Sequence, residues 1–303
     1  MTADPDSIDG RYAVRKAVAQ LLPDDTLPAF ALTDLFAAWL DRYAEIIVGP
    51  GGAPVGFMTH GEGPEFTDRV RLALERLELP AEAVAHHAAL AAWMEHKRGF
   101  FKAEWHRTAR GLEPLAAIYF RRRPQVGAVL DHLDLEAAPR DRVRDFASAL
   151  DKDTIHFVSA AFRPDRPVHH KLYCSQWVTA ASRADVAARI ERVFELHGTH
   201  PEARAVWRAQ HDRCCGADDT TVFVSTSVTR GEASTSFKID YPDLSPDAIA
   251  AWLPEAGRRT VVEDARRTMA LAGTKRVTFT GVRFSPDQPY PSLKYYGDVP
   301  GSQ

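Results

Sequence analysis

The sequence predicts an α+β protein built on a closed, ten-stranded antiparallel β-barrel ringed by helices in repeated ααββ units. Three observations carry this expectation. Amphipathic helices alternate along the chain with paired strands, one hairpin pattern recurs, and each recurring closing strand is apolar on one face and lysine-bearing on the other.

Helical spacing of apolar residues marks 9–22, 32–43, 65–77, 80–94, 141–150, 183–196, 201–213, 245–253 and 261–271. Thr33, Ser245 and Ser182 (with Asp185 three residues on) stand where N-caps are expected. Period-two alternation broken by turns rich in Gly, Pro, Asp or Arg marks five hairpins. These pair 44–48 with 55–59, 100–106 with 115–121, 155–163 with 168–178, 221–229 with 234–241, and 276–285 with 290–296. Three of them can be written over one another as VSAAFRPDRPVHHKLYCS, VSTSVTRGEASTSFKIDY and FTGVRFSPDQPYPSLKYY. Each closes on a lysine followed by an apolar residue, at Lys171, Lys238 and Lys294. The second hairpin offers a degenerate copy with Ala117 in the lysine position and Tyr119 two residues later. One supersecondary unit used several times accounts for this better than chance similarity among amphipathic hairpins.

Residues two apart on a strand share a face. His169, Lys171, Tyr173 and Ser175 therefore lie together, as do Ser236, Lys238 and Asp240, and Ser292, Lys294 and Tyr296. If helices cover the apolar faces, the lysines line either a solvated open sheet or an enclosed lumen. The repeated coupling of lysine with tyrosine favours the lumen, and closure removes the edges of a ten-stranded sheet.

Composition narrows the function classes. A 303-residue chain with 45% hydrophobic and 26% charged residues is globular, here expected as a single domain over 1–303 with a flexible tail over 1–8. A net charge of -3 argues against nucleic acid or an anionic membrane as partner, so any basic chemistry is local. The polar start lacks the apolar core of a secretory signal, and Cys174, Cys214 and Cys215 suit neither a disulfide framework nor a zinc site, so a cytoplasmic protein is expected. The pairs His86-His87 and His169-His170 diverge on any regular element, and no metal site is expected.

Cations converging from several strands suit a polyanion, most simply a diphosphate. Neither a glycine-rich phosphate loop nor an aspartate-rich run that would hold magnesium is present; Asp24-Asp25 and Asp218-Asp219 open no such run. Lysines alone would neutralise the diphosphate, with neighbouring tyrosines shielding a carbocation.

Here the chain resembles the ABBA-type (PT-barrel) aromatic prenyltransferases, nearest to the indole and cyanobactin-peptide enzymes. Their Arg-x-Lys-Leu-Tyr strand is matched by Lys171 and Tyr173, with His169 in the arginine position. Tyr290 matches their terminal strand, where Lys294 replaces a tyrosine. The segment LFAAWLDRYAEIIVG is similar to the first strand of the peptide enzymes, which implies Glu45 as general base; the arginine expected on the next strand is absent from VGFMTHG. The rival base is Glu104, on a face with Lys102 and His106; an ordinary salt-bridged carboxylate is the plainer reading of either glutamate. Arg121 shares the Tyr119 face, and Trp177 shares the Lys171 face as a candidate wall of the acceptor pocket.

The resemblance implies an enzyme of secondary metabolism that transfers a dimethylallyl or longer isoprenyl group from an allylic diphosphate to an indole or phenol, free or in a peptide. His169, Lys171, Lys238 and Lys294 would hold the diphosphate, and Tyr119, Tyr173, Tyr290 and Tyr296 would shield the cation. No cofactor is required on this reading, magnesium being at most stimulatory. The alternative is a non-catalytic barrel carrying an anionic hydrophobic ligand. Metal independence has a direct test: turnover of dimethylallyl diphosphate should survive EDTA, and complete loss restored by a divalent ion would refute a cage of lysines alone.

Overall fold

The computed structural model describes residues 10–21, 27–52, 55–109, 111–164, 166–216 and 219–300; the tail expected over 1–8, and Asp24, Asp25 and Asp218, lie outside the described residues. Ten strands close in the order β1-β10-β9-β8-β7-β6-β5-β4-β3-β2, every pair antiparallel. They are β1 (Glu45–Val48), β2 (Val55–Gly61), β3 (Gly99–Thr108), β4 (Gly111–Phe120), β5 (Phe157–Arg163), β6 (Arg166–Val178), β7 (Thr220–Val228), β8 (Ala233–Leu244), β9 (Val277–Phe284) and β10 (Ser292–Asp298). Glu45 opposite Asp298 closes the ring.

Helices precede each hairpin: α1 (Gly10–Leu21), α2 (Leu27–Leu35) and α3 (Ala37–Leu40); then α4 (Gly63–Arg76) and α5 (Ala81–Trp93); α6 (Val126–His132) and α7 (Ala137–Ala149); α8 (Arg183–Leu196) and α9 (Pro201–Cys214); and α10 (Pro246–Ala250) and α11 (Glu255–Ala272). The repeat is thus an ααββ unit used five times, its first copy carrying a third helix. Among the described residues no helix is long and apolar enough to cross a membrane, and the three cysteines are buried free thiols.

The core lies between barrel and helices. On α8, Phe194 packs its ring 4.9 Å from those of Trp207, Phe237 and Phe284. Tyr241 faces the same way, its hydroxyl accepting from Trp207 Nε1 at 3.0 Å and meeting His211 Nδ1 at 2.8 Å. The opposite strand faces line the lumen, where Leu115, Ala117, Ala161 and Tyr119 form a small separate cluster.

Local chemistry explains most boundaries. Ser245 caps α10, accepting from Ala248 N, and Gly273 ends α11 in the left-handed region at φ 71°. Some sequence expectations are corrected. Thr33 lies inside α2 and donates to the Phe30 carbonyl instead of capping, and Ser182 spends its hydroxyl on Thr179 and the Trp177 carbonyl. The helix expected over 32–43 is broken at Phe36, and α6 has too few turns for its period to show. The last strand begins at Ser292 rather than at 290, because Pro291 has no N–H for the ladder. Replacing Phe194 by Ala should cost about 3–5 kcal/mol by opening a cavity among four aromatic rings, read as a lower urea midpoint; an unchanged midpoint would show that the cluster is not a core.

Candidate active site

Successive hairpins put all their turns at one end of the barrel and their helical connections at the other. The lumen holds two cavities that follow this polarity. The cavity at the hairpin end, about 530 Å³, is lined by Lys102, Lys171, Lys238 and Lys294 with Glu104, His106, Arg163, Arg166, His169 and Arg283. The cavity at the helix end, about 330 Å³, is aromatic and acidic: Tyr43, Glu45, Phe100, Tyr119, Phe157, Tyr173, Phe223, Asp240 and Phe279, with Met58 and, at its mouth, Arg98 and Arg121. Lys102, Lys238 and Tyr296 line both and form the waist.

Register explains why the lysines have room. Lys102 stands opposite Ala117, Lys171 between Ser159 and Ser227, Lys238 opposite Ser225, and Lys294 opposite Gly281. Small neighbours leave the centre empty. A Cβ on Gly281 would lie 2.9 Å from Asp240 Oδ1, so this glycine makes space for a carboxylate directly across the ladder; one on Gly56, opposite Glu104, would meet the Ala103 carbonyl oxygen at 2.2 Å before Glu104 Cγ at 2.8 Å.

Those carboxylates compensate part of the charge. Glu104 Oε1 lies 2.9 Å from both Lys102 Nζ and Lys294 Nζ, and Oε2 lies 3.0 Å from Lys294 Nζ and 3.2 Å from His106 Nε2. Burial alone would raise the pKa of Glu104, but the two ammonium groups and these hydrogen bonds outweigh it and hold the carboxyl well below its ordinary value. Asp240 pairs with Lys238 at 2.7 Å. Among the described residues no carboxylate pairs with Lys171, and burial together with Lys102, Lys238, Arg283 and Lys294 pushes its pKa well down. Burial, with Lys102 and Lys238, likewise lowers Lys294 to about 8 despite Glu104.

Three tyrosines ring the waist. Lys238 Nζ lies 5.5 Å from the ring centres of Tyr173 and Tyr296, Lys102 Nζ lies 5.7 Å from that of Tyr119, and Tyr119 and Tyr173 are 5.8 Å apart. Such π-faces attract cations. Beyond them, Phe157 stands T-shaped to Tyr173 at 6.1 Å and tilts against Phe223 at 5.6 Å.

Glu45, 1% exposed, accepts a 2.5 Å hydrogen bond from the Tyr43 hydroxyl. Burial first and Asp298 second raise its pKa well above the ordinary carboxylate value, and Asp298 rises with it. A buried and a partly buried carboxyl facing each other across one strand pair favour sharing a proton.

The structure therefore gathers Lys171, Lys238, Lys294 and His169 in one cavity, Tyr119, Tyr173 and Tyr296 at the waist, and Glu45 in the other cavity. It separates the two glutamates, because Glu104 belongs to the lysine cluster. Two candidates fall outside. Trp177 is on the lumen side of β6, but β5 begins opposite Tyr173, so Trp177 overhangs the rim 59% exposed. Tyr290 precedes β10 in a turn, 38% exposed. Lys102 and Arg283 were missed as cage members because they lie on opening strands, whereas the sequence repeat showed lysines on closing strands.

Comparison with known proteins follows this geometry. No family model matches the chain, and no curated protein matches it significantly. Solved structures do. The 5-dimethylallyltryptophan synthase from Streptomyces coelicolor is 12% identical over 99% of both chains, with a TM-score of 0.56. The prenyltransferase PriB, in ternary complex with L-tryptophan and dimethylallyl thiolodiphosphate, is 11% identical over 97% of this chain and 96% of its own, with a TM-score of 0.59. NotF, in complex with brevianamide F and a dimethylallyl thiolodiphosphate, is 12% identical over 98% and 96%, with a TM-score of 0.57.

The charge state of the cage can be measured directly. NMR of labelled lysines should show a titration near pH 8 that Lys294→Met removes, the site losing positive charge as pH rises through that value; absence of any such lysine would refute the crowded cage. From closed ten-stranded barrel to surrounding helices, this chain has the PT-barrel fold of the aromatic prenyltransferases.

Proposed function

We propose that the protein transfers a dimethylallyl group from an allylic diphosphate to an electron-rich aromatic ring, an indole foremost, free or within a peptide. The observation that carries this reading is the join of the two cavities: a lysine cavity meets an aromatic one at Lys102, Lys238 and Tyr296, with Tyr119 and Tyr173 against those lysines on the aromatic side. Solved proteins of the same fold with tryptophan or brevianamide F beside a dimethylallyl diphosphate analogue support an indole acceptor.

On this reading the diphosphate lies among Lys102, Lys171, Lys238 and Lys294, with His169 beside them, and no divalent ion is needed. The bond from the allylic carbon to oxygen breaks, and the diphosphate leaves with the electron pair. Tyr119, Tyr173 and Tyr296 flank the allyl cation at the waist, attracting its charge and excluding water. A ring carbon or nitrogen of the acceptor, held among Phe157, Phe223 and Phe279, forms the new bond. Its proton passes to Glu45, whose carboxyl is made more basic than an ordinary carboxylate by burial and by Asp298. The products are prenylated acceptor, diphosphate and a proton. The cavity volume of about 330 Å³ is enough for a prenyl tail beside one bicyclic ring.

The roles separate kinetically. Lys171→Ala should lose about 2–4 kcal/mol of transition-state stabilisation, as other single donors to a developing anion do, in kcat and donor KM with acceptor KM unchanged. Glu45→Gln should lower kcat and leave donor affinity intact. The assay is pyrophosphate release coupled to mass spectrometry over a panel of indoles, phenols and aromatic peptides. Tight donor binding without pyrophosphate release would convert the reading to that of a carrier, and wild-type donor kinetics in Lys171→Ala would remove the diphosphate from the lysine cavity.

A further inference from the structure

Three lysines of the cage already have a carboxylate partner, Lys238 in Asp240 and both Lys102 and Lys294 in Glu104. Glu104 is 1% exposed, and each of its oxygens is engaged: Oε1 by Lys102 and Lys294, Oε2 by Lys294 and His106. Gly56 stands directly opposite, where a Cβ would lie 2.8 Å from the Glu104 Cγ and closer still, 2.2 Å, to the Ala103 carbonyl oxygen. A carboxylate thus sits against the ammonium groups that a diphosphate would use. Like charges crowded into one partly buried site repel, and water cannot screen them well.

We propose that Glu104 is a resident counter-anion of the donor site: it holds the empty cage together and yields Lys294 when a diphosphate arrives. This rests on the transfer reading above. The two lysines differ in their freedom to exchange partners. Both lysines line the cavity, but the Lys102 side chain is only 2% exposed, whereas that of Lys294 is 23% exposed and is the more accessible of the two to an incoming anion. Lys171, which has no carboxylate partner among the described residues, offers the first contact. The incoming diphosphate then displaces one side of a bidentate pair, and the departing diphosphate meets a carboxylate ready to retake Lys294. Glu104 therefore weakens diphosphate binding in both directions and promotes product release. It acts as a positioning residue through the lysines and does not touch the prenyl group.

The test is isothermal titration of the whole protein with inorganic pyrophosphate, paired with thermal melting. Glu104→Gln should bind pyrophosphate at least about tenfold more tightly than wild type, the scale of one like charge removed from a partly buried site. The same variant should melt lower than wild type without ligand, because Lys102 loses its buried partner, and should gain more from added pyrophosphate. A glutamate with a purely structural role would lower the melting temperature and leave pyrophosphate affinity equal or weaker. Should Glu104→Gln not accumulate as folded protein, Glu104→Asp keeps the charge but, one methylene shorter, draws it back from Lys294, and should bind pyrophosphate more tightly than wild type by a smaller factor. A folded variant that binds pyrophosphate no more tightly than wild type overturns this inference and leaves the transfer reading intact. If wild type and both variants bind no pyrophosphate, the transfer reading falls as well.

Discussion

Everything in this molecule is arranged around the difficulty of keeping several ammonium groups inside a barrel. Burial strips them of water, and each raises the cost of charging its neighbours, which is why Lys171 and Lys294 hold their protons less firmly than a lysine in solution. The barrel meets that cost in three ways. Small residues beside each lysine leave a cavity for water or ligand, Glu104 and Asp240 neutralise part of the charge, and tyrosine faces accept the rest. Lys171, which has no carboxylate partner among the described residues, and the arginines at the mouth leave this cavity with more basic groups than its carboxylates offset.

The same constraint polarises the barrel. Cations crowd toward the hairpin turns, while the helix end collects phenylalanines and the Tyr43–Glu45–Asp298 group. Glu45 and Glu104 illustrate how environment divides two chemically identical groups. Among lysines, Glu104 is held ionised and acts as a counter-charge; beside Asp298 and Tyr43, Glu45 is pushed toward accepting protons. An electrophile formed at the waist would have its leaving group on one side and its acceptor on the other.

The outward register is equally strict. Shifting β6, β8 or β10 by one residue would bring Leu172, Phe237 or Ile239, or Leu293 to where its lysine stands, turning core residues into the lumen. Phe194, Phe237 and Phe284 on the helix-covered side thus fix where Lys238 points on the other.

Much of this was legible from residue order. Period-two alternation assigned Lys171, Lys238 and Lys294 to one face with Tyr173 and Tyr296, and the recurrence of helices and hairpins implied a ten-stranded ring, because these signals are local and repeat. The N-cap expected of Thr33 and the strand start at 290 failed, and Trp177 came to lie at the rim, where the outcome depended on neighbours. A helix beginning earlier engulfed Thr33, Pro291 could not enter the ladder, and β5 was too short to cover Trp177. Period and composition by themselves determined the fold class, the lysine face and the tyrosines that accompany it. Only closure of the barrel decided that Lys102 and Arg283 join the cage, that Glu104 pairs with Lys294 190 residues away, and that Glu45 meets Asp298, because those contacts are made across strands whose adjacency no local spacing encodes.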